Sequence, residues 1–378
     1  MESRTFLQVL CLAIVGLGFA NAEVPAVFVL GDSTADVGTN NFLPGFKARA
    51  DFPPNGIDFP SSRPTGRFSN GFNSADFLAM LMGFKRSPLP FFALAGNPKL
   101  LKRPSFRGVN FASGGSGILD MTGQTALTSS LSGVKNVVPL REQIEQLSAV
   151  HDNLTAIKGS AYTEILFSRS LFFISIGSND LLSYFYSNSS VPKQEFISAL
   201  GLEYEKQIMS ILELGAKKIG IISVPPVGCC PSQRAFNESG GCLEGLNDLA
   251  LEFHSTINAL LMKLGSEYTD LKYSLGNTYE MTINVIDNPF PFVELTIPIS
   301  SEHSSGFKEV QIACCGVKRF NGEGICDKNA NLCLNRHEYL FWDLFHPTMT
   351  ASKLAALTLY AGEPRFVSPI NFKQLAEA

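Results

Sequence analysis

AVFVL, residues 26–30, runs directly into Gly31-Asp32-Ser33-Thr34, and this stretch decides the fold class. Five consecutive apolar residues without polar alternation read as a strand covered on both faces, the kind found in parallel sheets. Gly31 ends the run, and polar residues follow at what would be the strand's C-terminal end. The pattern recurs three times. Val109 to Ala112 is closed by Gly114 and Gly115, LFFISI (171–176) by Gly177, and KIGIISV (218–224) by Pro225 and Pro226.

Helical periodicity fills the intervals. Leu140, Ile144 and Leu147 form a stripe behind Pro139, a residue suited to a helix start. Tyr204, Ile208, Ile211 and Leu212 form a second, ended by Gly215. A third runs from Leu243 to Leu264, and Thr350 to Tyr360 is rich in Ala and Leu. Strands alternating with helices of this length predict an α/β fold with a mostly parallel sheet between two helical layers. Chemistry in such sheets lies beyond the C-terminal strand ends. Asp51 to Gly71, rich in Pro, Gly and Phe, reads as an ordered irregular excursion, and Gln124 to Gly133 as a loop. No repeat, charge block or linker marks a boundary, so one domain is expected over residues 23–378.

Of the 378 residues, 45% are hydrophobic and 17% charged, and the formal net charge is -4. That composition excludes a disordered chain, and no basic stretch supports nucleic-acid binding. Arg4 precedes an apolar run from Phe6 to Ala20, and Ala20-Asn21-Ala22 supplies a small-x-small cleavage site. Residues 1–22 read as a secretory signal peptide, too short for a comfortable membrane span. No later run is long enough to span, so no integral membrane segment is expected after cleavage.

Export changes the reading of the cysteines. Beyond Cys11, seven remain: Cys229, Cys230, Cys242, Cys314, Cys315, Cys326 and Cys333. In an oxidising compartment most should pair, and the odd number leaves at least one over. Zinc held by Cys314, Cys315, Cys326, Cys333 and His337 is the rival reading, disfavoured because no C-x-x-C pair is present. The sequons at Asn153, Asn188 and Asn237 fit an exported glycoprotein.

Four segments carry candidate chemistry. Ser33 could emerge at the sheet edge as a nucleophile, although Ser and Asp there also suit a helix cap. The nucleophile elbow G-x-S-x-G is absent, because Ala occupies position 35. Asn110-Phe-Ala-Ser-Gly-Gly-Ser-Gly117 offers bare backbone N–H groups, without the spacing of a nucleotide cradle. Gly177-Ser-Asn179-Asp180 offers an amide side chain in a turn. Asp343-Leu-Phe-His346-Pro347 puts an imidazole and a carboxylate three positions apart, within reach of one site. Among other histidines, His254 lies in a helical stripe, His151 and His303 sit among polar residues, and His337 is the one competitor.

In this order and spacing, the four segments resemble the plant branch of the GDSL esterase/lipase family, the SGNH hydrolases. The resemblance spans FVLGDSTADVGTNN, PTGRFSNG, GVNFASGGSGILD, FFISIGSND, VPPVGCCPSQR, GFKEVQIACCG and FWDLFHPT, nearly the whole of residues 23–378. It implies a flavodoxin-like three-layer α/β/α sandwich. It implies Ser33 as nucleophile, His346 as general base and Asp343 as its orienting partner. Gly115, Asn179 and the N–H of Ser33 would form the oxyanion hole. Thr34 departs from the Leu of the family motif and Thr39 from a frequent Asn. Cys230, beside Cys229, is the candidate unpaired thiol. The implied activity is secreted serine ester hydrolysis through an acyl-enzyme, in the apoplast or cell wall, on lipid or other plant acyl esters. No metal or organic cofactor is called for. An acyltransferase passing the same acyl group to an alcohol is the alternative, and a binding protein with a silent site the third reading. The 30 phenylalanines could line an acyl groove but read first as core.

Overall fold

The structure, a computed structural model, describes residues 24–44, 48–124, 137–187, 189–289 and 306–378. The expected signal segment, most of the Gln124–Gly133 loop, the sequon at Asn188 and His303 lie outside them.

Among the described residues the first elements are strand β1 (Val27–Gly31), helices α1 (Ser74–Leu81) and α2 (Phe91–Ala95), and strand β2 (Gly108–Asn110). Helices α3 (Leu140–Lys158) and α4 (Ser160–Arg169) lead to β3 (Leu171–Ser175), then α5 (Ser178–Tyr186) and α6 (Lys193–Glu213). Strand β4 (Lys218–Ile222), α7 (Pro231–Phe236), α8 (Glu244–Glu267), β5 (Lys272–Gly276) and α9 (Thr278–Asp287) follow. A short ribbon, β6 (Cys315–Gly316) with β7 (Asn331–Leu332), precedes α10 (Met349–Ala361), β8 (Val367–Pro369) and α11 (Phe372–Glu377). Residues 48–73 contain no regular element, matching the expected irregular excursion.

The main sheet has the order β2-β1-β3-β4-β5-β8, parallel except for the β5–β8 pair at its edge. The apolar runs explain why two layers of helix cover it. In β1, Phe28 and Leu30 join Phe172, Ile174, Ile219 and Ile221 in one core, packed against α3, α4, α6 and α8. Val27 and Val29 point the other way and join Leu171, Phe173 and Ile222 against α1, α10 and α11. Successive strand residues thus feed opposite layers. Each apolar side chain buried in this way contributes ~1.5–3 kcal/mol of transfer free energy.

The expected strands and helices are present with shifted ends; the strand expected at Val109–Ala112 runs Gly108–Asn110. Two strands of the main sheet were not foreseen, nor was the β6–β7 ribbon. In β5 (KYSLG) Lys272 is exposed and Ser274 is buried, so no apolar run announces it. β8 contains Pro369, typical of an edge strand but a weak strand signal. Sheet order reverses between β2-β1 and β3-β4-β5, the switch point where α/β sheets open a crevice at their C-terminal ends.

Candidate active site

The site is built at that reversal. Strand β1 ends at Gly31, opposite Ser175 of β3. A Cβ at Gly31 would lie 2.3 Å from the Ser175 carbonyl oxygen, so only glycine permits this strand end. Gln143, reaching from α3, accepts from Gly31 N–H at 2.8 Å and donates to its carbonyl at 2.9 Å. The chain then turns sharply, with Ala35 and Asp36 N–H donating to the Asp32 carbonyl. This lifts Ser33 out at the sheet edge, half-buried, where no helix begins. A helix cap is therefore not what Ser33 does.

Ser33 Oγ lies 2.8 Å from His346 Nε2. On the other side of the ring, His346 Nδ1–H donates to Asp343 Oδ1 at 2.8 Å and Oδ2 at 2.9 Å. Asp343 Oδ1 also accepts the N–H groups of Phe345 at 3.0 Å and His346 at 2.9 Å. Since an ionised carboxylate only accepts, the ring proton sits on Nδ1 and leaves Nε2 free to take one from Ser33. Burial opposes the charge of Asp343. His346, its hydrogen bond and the two backbone N–H groups outweigh burial, holding this carboxyl below its ordinary range. Burial likewise opposes protonation of His346, yet Asp343, with help from Asp32, raises its pKa above the ordinary 6.5. The ring stacks obliquely on Phe68, with centroids 5.0 Å apart.

The Asp343–His346 loop owes its position to the cysteine-rich segment. Disulfides Cys314–Cys333 and Cys315–Cys326 pack around Trp342, which is fully buried. Cys315 N–H donates to the Trp342 carbonyl at 2.7 Å, and Trp342 Nε1–H to Asn55 Oδ1 at 2.9 Å. Trp342 N–H donates to the His346 carbonyl at 2.7 Å, closing the loop. These bridges consume the cysteines of the rival zinc reading, and His337 is exposed. Cys229 bonds Cys242, and Cys230 is the free thiol, as its position beside Cys229 suggested. Burial pushes that thiol up to about 12, so it is not a nucleophile at neutral pH.

The glycine-rich segment is held against the same strand end. Ser113 N–H and Ser116 Oγ–H donate to the Gly31 carbonyl at 3.0 and 2.9 Å. Gly115 adopts φ +83°, which favours glycine. Among the described residues no acceptor takes the N–H of Gly115 or of Ser33. Asn179 Nδ2 donates to the Ser116 carbonyl at 2.8 Å, leaving its second amide N–H for another acceptor. The expected turn at Ser178–Asp180 is instead the first turn of α5, since Gly177 ends the extended chain.

Several residues of the site gave no sequence signal of their role. Asp180 is buried and accepts from Ile118 N–H at 2.9 Å, Leu119 N–H at 3.1 Å and Thr122 Oγ at 2.7 Å, tying the glycine-rich loop to α5. Burial raises its pKa to about 6. Asp36 does the same for Gly114, Gly38 and Thr39, and is likewise raised by burial to about 6. Asp32 is buried and accepts from both Thr34 N–H and Thr34 Oγ, at 2.9 and 2.8 Å. Burial dominates and raises its pKa, while Thr34 and His346 pull the other way. Of the sequons, Asn153 is exposed on α3. Asn237 is half-buried and spends its amide on the carbonyls of Gly241 and Cys242.

A hydroxyl, a base aligned with it, a carboxylate behind the base and unclaimed N–H groups in segments held at the same strand end can together add the hydroxyl to a carbonyl. The family model for GDSL-like lipases and acylhydrolases matches residues 27–359. The chain belongs to this family. Among its relatives in Arabidopsis thaliana, one named a GDSL esterase/lipase is 34% identical over 363 residues, covering 94% of this chain and 90% of the relative. A second of the same name is 32% identical over 368 residues, covering 95% and 94%, and a third 34% identical over 357 residues, covering 93% and 90%.

Proposed function

We propose that this member of an ester-hydrolase family acts as a serine carboxylic-ester hydrolase through Ser33, His346 and Asp343. The observation that carries the reading is the continuous hydrogen-bond relay from Ser33 Oγ through His346 to Asp343. Neutral His346 takes the proton of Ser33 Oγ as it bonds to the ester carbonyl carbon. Negative charge moves to the carbonyl oxygen, where the N–H groups of Ser33 and Gly115 and the Asn179 amide receive it. His346 then gives its proton to the leaving alcohol, while Asp343 holds the tautomer and stabilises the imidazolium. Water, deprotonated by His346, attacks the acyl carbon, and His346 returns that proton to Ser33 Oγ as the acyl–Oγ bond breaks and the acid leaves.

The proposed substrates are lipid or other plant acyl esters. One domain over residues 23–378 and export to the apoplast or cell wall complete the proposal. The three disulfides support export, as does the apolar run Phe6–Ala20. Among the described residues no helix is long and apolar enough to cross a membrane. The test is a fluorophosphonate probe on the purified protein. Labelling of the wild type, with no labelling or turnover in Ser33→Ala and His346→Ala, is expected. Full ester turnover by Ser33→Ala refutes the assignment.

A further inference from the structure

A cavity of about 300 Å³ lies directly beside the relay, on the α9–α10 side of the sheet. Its mouth contains chain neighbours of the residues that do the chemistry: Thr34 next to Ser33, Ser178 next to Asn179, and Phe345 and Pro347 on either side of His346. Its lining is mainly apolar, with Ile222, Met281, Val285, Phe341, Leu354 and Leu359 in its walls and polar Ser223, Thr282 and Asn284 between them. Among the six apolar residues, all but Leu354 are buried, so the walls belong to packed core and not to a mobile surface. Among the described residues nothing charged lines it. A protein interior normally closes such space, because unfilled apolar volume forfeits contacts on every side. An apolar void kept open next to a nucleophile calls for an apolar occupant.

We infer that this cavity receives the acyl chain of the substrate, making the preferred esters those of straight, unbranched fatty acids of medium length. The inference rests on the Ser33 acyl-enzyme proposed above. The choice of acyl over alcohol follows from the order of events. The alcohol must depart past His346 and water must take its place, so a mainly apolar wall suits the group that stays bonded to Ser33. The length follows from volume. A water molecule's share of liquid is about 30 Å³ and a methylene is of similar size, so the cavity holds on the order of ten carbons. Burial of each methylene there, gained equally in the transition state, raises kcat/KM about fourfold.

The test uses two ester series with the purified full chain. One varies the acid from acetyl through butanoyl, hexanoyl, octanoyl, dodecanoyl and hexadecanoyl, with one fixed alcohol. The other fixes an acetyl group and varies the alcohol over the same lengths. A rise of about fourfold per methylene up to a plateau near ten carbons in the first series, with a flat second series, is expected. Leu354→Trp, which narrows the cavity, moves the plateau to shorter acids, and Met281→Ala, which widens it, moves it to longer ones. Opposite shifts are something that a merely destabilised fold does not produce. Ser33-dependent turnover that falls from acetyl onward, follows the alcohol, or ignores both substitutions overturns the cavity assignment and leaves the hydrolase reading standing. Absence of Ser33-dependent turnover on every ester overturns both.

Discussion

Asp343→Asn isolates what the carboxylate does for His346. The wild-type carboxylate receives four hydrogen bonds: two ring contacts at 2.8 and 2.9 Å and two backbone N–H groups at 3.0 and 2.9 Å. An asparagine retains the oxygen that accepts from the backbone, so the loop keeps its shape. Its NH2, however, now faces Nδ1 and donates to it. In that arrangement the ring carries its proton on Nε2, the nitrogen that faces Ser33, and cannot accept one there, while the other tautomer keeps only the 2.8 Å contact to an uncharged amide oxygen that no longer supports the imidazolium. Loss of the correct tautomer in a serine–histidine–aspartate site costs roughly 10⁴ in kcat, or ~5.4 kcal/mol of transition-state stabilisation.

The same substitution moves the pH profile. The proposed mechanism requires neutral His346, so activity should rise with pH through the pKa of the ring. In the wild type that pKa is above 6.5, because Asp343 attracts the protonated ring. Without the carboxylate, burial is the larger remaining influence and lowers it, with Asp32 opposing. The acid limb of kcat/KM is therefore expected above pH 6.5 in the wild type and on the acid side of that value in Asp343→Asn. Steady-state rates on a soluble short-chain ester from about pH 5 to about pH 9 measure both quantities. A variant that keeps more than a tenth of the activity, or whose limb stays in place, refutes the coupling.

Asn179→Ala removes the side-chain donor proposed for the developing oxyanion and is expected to lower kcat by roughly 10²–10³ with little change in KM. Steady-state kinetics decide it, and a kcat within threefold of wild type removes Asn179 from the site. Asp180 gives a stability prediction of definite sign. Its folded pKa of about 6 stands above the ordinary 3.8, so the folded chain holds a proton that the unfolded chain releases. That contribution is complete below about pH 3.8 and disappears as pH rises through about 6. Relative to Asp180→Asn, the unfolding free energy of the wild type should fall by ~2 kcal/mol between about pH 4 and about pH 7 in urea titrations. Parallel pH curves for the two proteins contradict it.

What the sequence shows and what it hides divide along the range of the interactions. AVFVL and LFFISI are strands by their own composition, because a run of large apolar residues has to be covered on both faces wherever it lies. His346 and Asp343 are legible as a pair because they stand three positions apart. Helix α1 had a local signal too: Asn73 and Asp76 form a reciprocal capping box, a pattern readable from spacing alone. Asp76 is at the same time bound to Arg67 in a buried ion pair at 2.6 Å, and that partner is invisible without the fold. β5 could not be read because its order comes from its neighbours. Its Ser274 is buried against surrounding elements, not by any apolarity of its own.

The supports of the site are the extreme case. Gln143 holds both polar groups of Gly31 across 112 positions, yet in sequence it is one more polar residue on a helix. Its position on α3 fixes where β1 ends, and therefore how far Ser33 projects. Trp342 plays the matching part for His346, wedged among disulfides whose connectivity no spacing rule provides. Ser33 and His346 come within 2.8 Å although 313 positions separate them, and each is delivered by an anchor that never touches the reacting atoms. Reactive residue types are few and stand out in a sequence. The residues that hold them at hydrogen-bonding distance are drawn from all types, and only the folded geometry tells them from ordinary core.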